Sequence, residues 1–164
     1  MKIREFLLAI ATVLILCSCS LAQDSRPDVP QPGSSEMDWN NYVCDLWNFD
    51  YTEKNPSRIH GQYFAKKQFT LADGSRPDVT EIHSMPYGES TVVWEIDWAY
   101  KWKEAVGQAC FYKAMSGAAD GGVLLITQGI EDKVSVLRAK IAAKEAHLRF
   151  ATVNKKGEIQ RWGN

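Results

Sequence analysis

Residues 91–127 constrain the fold more than any other part of the chain. Thr91 to Trp98 carries Val92, Val93, Trp94 and Ile96, side chains that suit a pleated surface, and reads as a strand. Lys101 to Met115 reads as a helix stopped by Ser116-Gly117. Val123 to Thr127 is a short apolar run bounded by Gly and Gln, the pattern of a buried strand. Glu131 to Arg149 is then predicted as a second helix, with acids at its start and bases towards its end, matching the macrodipole. Val134, Leu137, Ile141 and Leu148 form its apolar stripe. A strand followed by a helix–strand–helix run implies crossover connections and a sheet covered by helices.

The flanks extend that unit. Met37 to Trp47 is predicted as a first helix and Asn55-Pro56-Ser57 as a break. Gln68 to Leu71 and Arg76 to Ile82 are predicted as two strands of a hairpin turning at Asp73-Gly74. Pro77 either demotes the second of these to an edge or sits where no donor is needed. Met85 to Gly88 reads as a loop, and Phe150 to Val153 and Glu158 to Trp162 as short strands around Lys156-Gly157. The expected fold is α/β, a small mixed β-sheet flanked by helices, in a single domain over residues 37–164.

The beginning of the chain reads differently. Lys2 and Arg4 precede an apolar run from Phe6 to Leu16, too short for a bilayer span and long enough for the core of a signal peptide over residues 1–22. Two processing routes stand open. Ser20-Leu21-Ala22 offers small residues for cleavage before Gln23. Leu16-Cys17-Ser18-Cys19 is similar to a bacterial lipobox, with Cys19 as the lipidated residue. Residues 23–36 are rich in Pro, Ser, Asp and Gly and read as a disordered tether. Ser-Arg-Pro-Asp-Val occurs at 25–29 and again at 75–79, but the flanks differ and the repeat reads as coincidence. The chain is thus expected to be exported: periplasmic, held at the outer membrane by a lipid anchor, or secreted.

Net charge is −1, which does not fit a constitutive polyanion binder. The bases gather in the C-terminal part. Lys133, Lys140, Lys144 and His147 form a stripe on the last helix that suits either phosphate contact or plain solvation. Cys44 and Cys110 either pair in an oxidising compartment or remain buried thiols. His60, His83 and His147 have no metal-ligand spacing. The six Trp suit core packing or, if exposed, stacking on sugars or bases.

Chemistry concentrates between Arg76 and Tyr112. Strand periodicity puts Glu95 and Asp97 on one face and Trp94, Ile96 and Trp98 on the other. Asp78, on the neighbouring strand, can converge with Glu95 on one hard cation, the kind of ion that polarises a phosphodiester and supplies hydroxide near neutral pH. Lys101, Gln108 and Tyr112 are spaced by seven and four residues and share one helical stripe with Ala105, so the ammonium of Lys101 should lie near the carboxylates. A lysine there can orient water or stabilise charge growing on the phosphoryl group.

Pro77-Asp78, then Glu95, then Gln108-x-x-x-Tyr112, in that order on strand, strand and helix, resembles the core of the PD-(D/E)XK nuclease superfamily. The run Lys101-Trp102-Lys103-Glu104-Ala105-Val106-Gly107-Gln108 is similar to a helix found in small bacterial nuclease-like proteins. The resemblance covers roughly Phe64 to Thr127. It implies a restriction-endonuclease-like core, nucleic acid as the partner, and Mg²⁺ or Mn²⁺ held by Asp78 and Glu95. It also implies a catalytic set of Asp78, Glu95 and the residue two positions after Glu95, with Gln108 and Tyr112 positioning substrate. That third residue is a lysine in the superfamily and is Asp97 here. Either Lys101 has taken over the role from the helix, or the fold persists without the reaction, as an envelope interaction module. The superfamily often has a Glu before the first site strand; Gln68 lies near that place. Each residue also has a plainer reading. Asp78 can cap a turn, Glu95 and Asp97 can form a solvated strand face, Lys101 can be an ordinary surface residue, and Gln108 and Tyr112 can be boundary packing.

Overall fold

A computed structural model describes residues 25–54, 63–85 and 87–162. The predicted leader, Cys19, Gln23 and His60 lie outside the described residues. The elements are helix α1 (Glu36–Lys54), strands β1 (Tyr63–Lys67), β2 (Val79–Met85) and β3 (Gly88–Trp98), helix α2 (Trp102–Ser116), strand β4 (Asp120–Thr127), helix α3 (Lys133–Glu145), and strands β5 (Arg149–Asn154) and β6 (Ile159–Trp162). The strands form one six-stranded sheet in the order β1-β2-β3-β4-β5-β6. β1, β2 and β3 are an antiparallel meander, β3, β4 and β5 run parallel, and β6 returns antiparallel to β5. The chain is therefore a mixed α/β protein, as its strand and helix patterns implied.

Two apolar layers sandwich the sheet. Trp39, Tyr42, Val43, Leu46 and Trp47 of α1 pack on Val79, Val92, Trp94, Ile96, Leu124 and Ile126. On the opposite face, Ala105 and Ala109 of α2 and Ala139 and Ala143 of α3 pack on Val123, Leu125 and Phe150. β4 is the fully covered centre: Val123 to Ile126 are all buried, as a parallel strand with helices on both faces requires. Gly122 faces Trp94 of β3, whose indole occupies the space that a Cβ on Gly122 would take.

Several expected elements sit elsewhere. The strand expected at Gln68–Leu71 is loop, and the strand is Tyr63–Lys67 instead. Gln68 turns the chain out of the ladder at φ 46°, and Leu71 and Ser75 close a local turn around Gly74. Pro77 precedes β2, an interior strand between β1 and β3, so the proline does not mark an edge. α1 runs well past Trp47. It starts with a capping box in which Ser35 Oγ accepts the Asp38 N–H at 3.3 Å and Asp38 accepts the Ser35 N–H at 2.8 Å. The residues before it were expected to be a free tether, yet Val29 is partly buried against the α1 side of the core.

The largest difference is the orientation of α3. Its sheet-facing side is Ala139 and Ala143, with Val136 half-buried, while Val134, Leu137 and Ile141 point outward. Small residues let the helix lie close to β5, and the larger apolar stripe is left on the outside. Leu148 is buried, but it lies beyond the end of α3.

Cys44 is buried and Cys110 exposed, and both are free thiols, so neither the pair nor two buried cysteines describes them. All six Trp are buried or half-buried, which places their rings in packing rather than on a stacking surface. Among the described residues no helix is long and apolar enough to cross a membrane.

Candidate functional site

The β2–β3 ladder ends at Val79 opposite Trp94. Beyond it Pro77 has no N–H to offer, and the side chain of Asp78 takes over. Its Oδ2 accepts the Ile96 N–H at 2.8 Å, and its Oδ1 accepts from Asn40 Nδ2 of α1 at 2.6 Å. With both oxygens engaged, the carboxylate is held in one orientation. Glu95 and Asp97 of β3 are buried on the α2 face, away from Trp94 and Ile96, as strand alternation requires.

Glu95 lies beside Asp78 and hydrogen-bonds it. Burial, and then repulsion from Asp78, Asp97 and Glu36, lift the Glu95 carboxyl to about 9. Its proton is the one donated to Asp78. Burial also raises Asp78, to about 6, although the Ile96 N–H opposes the rise.

A second acidic pair lies alongside. Glu36, in the first turn of α1, is lifted to about 7 by burial and by its hydrogen bond and repulsion with Asp97. Lys101 Nζ bridges the two, 3.2 Å from Asp97 Oδ1 and 3.3 Å from Glu36 Oε2. The hydrogen bond to Asp97 is the main reason its ammonium is held above the usual lysine range. Lys101 sits in the short 3-10 turn Ala99–Lys101 that joins β3 to α2, which brings it back over the strand end. Further along α2, Tyr112 is half-buried and its phenol is raised, by burial first and then by the charges of Glu95 and Asp78. Gln108 is half-buried on the same helix.

Asp78 and Glu95 therefore pair at one end of the sheet, and Lys101 meets Asp97 and Glu36 rather than forming an ion pair with Asp78 or Glu95. Tyr112 feels the charges of Glu95 and Asp78 from α2, and Glu36 and Asn40 join the cluster from α1. These two were missed in the sequence. Their i, i+4 spacing was the available signal, but Glu36 fell in a segment read as tether and Asn40 on a helix with no visible link to Asp78. Gln68, the nearest sequence candidate for an upstream carboxylate, sits in the β1–β2 loop and is bonded to Met37 Sδ.

All the donors here are carboxylate oxygens with one amide beside them, a set that suits a hard divalent cation. Burial is the first cause of the raised values of Glu95, Glu36 and Asp78, and repulsion among the carboxyls adds to it, while the Lys101 ammonium contacts Glu36 and Asp97. The four carboxyls are split into two pairs, one sharing a proton and one bridged by Lys101. Among the described residues no three His, Cys, Asp or Glu side chains already converge as a metal cage.

Fold and site together define a mixed α/β protein with an acidic, lysine-bearing cluster where β2, β3 and the start of α1 meet. No family model matches the chain, and no curated protein is significantly similar to it.

Proposed function

We propose that this is an exported nuclease-like protein of the PD-(D/E)XK type, hydrolysing phosphodiester bonds of nucleic acid with Mg²⁺ or Mn²⁺. The observation that carries this reading is the pairing of Asp78, just ahead of β2, with the buried Glu95 of the neighbouring β3, with Asp78 clamped through both oxygens. The element order supports it as well: an Asp ahead of one strand, a Glu on the next, then a helix with Gln108 and Tyr112. Asp78 and Glu95 would hold the ion. When bound, the ion would polarise the phosphodiester and make hydroxide accessible near neutral pH. The chain supplies the rest. Asn40 and the Ile96 N–H fix the orientation of Asp78, Lys101 places a positive charge at the strand end, and Glu36 and Asp97 hold that ammonium in position. Tyr112 and Gln108, both on α2, would position the substrate.

A second reading, an inert member of the same fold serving as a cell-envelope interaction module, draws on one observation. Asp97 stands where the superfamily has its lysine, and the ammonium of Lys101 is engaged by two acids. The test is incubation of the purified protein with linear DNA and RNA, with Mg²⁺, Mn²⁺ or EDTA, beside Glu95→Ala and Lys101→Ala. The nuclease reading expects metal-dependent cleavage, lost by about 10²-fold or more in both variants. Absent cleavage leaves the inert reading, and cleavage unchanged by both substitutions overturns the assignment of the reaction to this site.

A further inference from the structure

The outward face of α3, with the 3-10 turn Ile130–Asp132 that leads into it, carries four large apolar side chains in register. Ile130, Val134, Leu137 and Ile141 are 74%, 58%, 60% and 56% exposed. Scattered apolar residues on a surface are ordinary, but four aligned on one helix are not. Their 4-3-4 spacing is that of a seam between two helices, in which each side chain seats between residues of a facing helix. The sheet cannot cover this face, because α3 already meets it through Ala139 and Ala143.

The charges beside the seam indicate what covers it. Glu131 and Arg138 flank the stripe on one side and are both exposed. They are seven residues apart, about 10 Å along a helix, too far to pair with each other. Neither forms an ion pair with another described residue. When two copies of the helix lie antiparallel, Ile130 faces Ile141, Val134 faces Leu137, and Glu131 of each copy reaches Arg138 of the other. That gives two intermolecular ion pairs from one symmetric contact, with the helix dipoles opposed. The other flank carries Lys133 and Lys140, which the same arrangement brings together. The Lys140 ammonium is drawn aside, 4.8 Å over the ring of its own Trp162, which relieves that contact.

We infer that the exposed stripe of α3 is a homodimer interface, covered by α3 of a second copy of this chain in antiparallel register. The inference stands apart from catalysis. Sedimentation equilibrium of the purified protein over about 1–100 µM should give a mass approaching twice that of the chain. Leu137→Glu should be monomeric throughout that range, with an unchanged circular-dichroism spectrum. Glu131→Arg and Arg138→Glu should each weaken the dimer by on the order of tenfold, and the double exchange should restore it. The charge variants keep the test decisive should Leu137→Glu fail to fold. A wild-type monomer at about 100 µM would overturn the proposal. So would a monomer that binds vesicles of phosphatidylglycerol and phosphatidylethanolamine through Leu137, which would assign the face to a lipid surface. A double exchange that fails to restore association would overturn the antiparallel register.

Discussion

At neutral pH Glu95 keeps its proton because burial and the neighbouring acids lift it to about 9. The folded chain therefore binds that proton more tightly than the unfolded chain, whose ordinary value is 4.5. The corresponding stability is fully present below about pH 4.5 and is lost as pH rises towards about 9. Glu36, at about 7, and Asp78, at about 6, add in the same sense over narrower windows. Glu95→Gln preserves the donor to Asp78 and removes the ionisation. It should raise the stability of the metal-free protein by about 1–3 kcal/mol at pH 7 and flatten the decline towards pH 9. Thermal melts from pH 5 to 9 in EDTA check this, and a lower melting temperature in the variant at pH 7 contradicts it. The same substitution should weaken the response of the melt to added Mn²⁺. At this scale the sequence was informative about type and less so about company. Periodicity was enough to bring Asp78, Glu95, Asp97 and Lys101 to one end of the sheet. Glu36 and Asn40 were not legible, because which turn of α1 meets the strand end depends on the helix start at Ser35 and on how Trp39 and Val43 pack. Both are tertiary facts.

Among the elements, β3 and β4 were the most legible and α3 the least. An apolar run such as Val123–Ile126 has one use in a covered sheet. A helix with Val134, Leu137 and Ile141 on one side and Ala139 and Ala143 on another has two, and volume decides which side faces inward. The close approach of the layers shows again at Gly122, whose missing side chain lets Trp94 lie flat on β4 and meet Trp47 at 5.1 Å between ring centroids. Gly122→Ala should displace the Trp94 ring and cost about 1–3 kcal/mol, an overpacking penalty. Urea denaturation measures the cost, and the near-ultraviolet circular dichroism of the Trp cluster should change with it. A neutral substitution would mean that the ring has room to move. The expected strand at Gln68–Leu71 failed for a different reason. Its alternation was real but belonged to a loop, and Tyr63–Lys67 had the better ladder partner in Val79–His83.

Across the whole molecule, the fully buried Glu81 joins distant parts of the sheet. It accepts from Tyr63 of β1 at 2.9 Å and from Arg161 of β6 at 2.7 Å, while the Arg161 guanidinium lies 4.1 Å over the ring of Trp47. Burial alone would raise the Glu81 carboxyl, but His83 and Arg161 outweigh it and hold it at about 2. His83 Nε2 stands 3.8 Å from Glu81 Oε2, longer than a hydrogen bond, so Arg161 is the firmer partner. This contribution runs opposite to that of Glu95: it is present above about pH 4.5 and lost as pH falls towards about 2. Arg161→Ala leaves a buried carboxylate without its counter-charge and should cost about 3–5 kcal/mol at pH 7, less at pH 3, by urea denaturation. An equal cost at both pH values would mean that Arg161 acts through packing on Trp47 alone.

That ion pair also sets an order in time. Arg161 follows Glu81 by 80 residues, so a chain made at roughly 5–20 residues per second carries Glu81 for about 4–16 s before its counter-charge exists. During that interval a β1–β2–β3 meander that buried the carboxylate would do so with Tyr63 and His83 beside it but without the guanidinium. The half of the sheet that carries the acidic site is synthesised first, and the ion pair that closes over Glu81 is complete only when the last strand arrives.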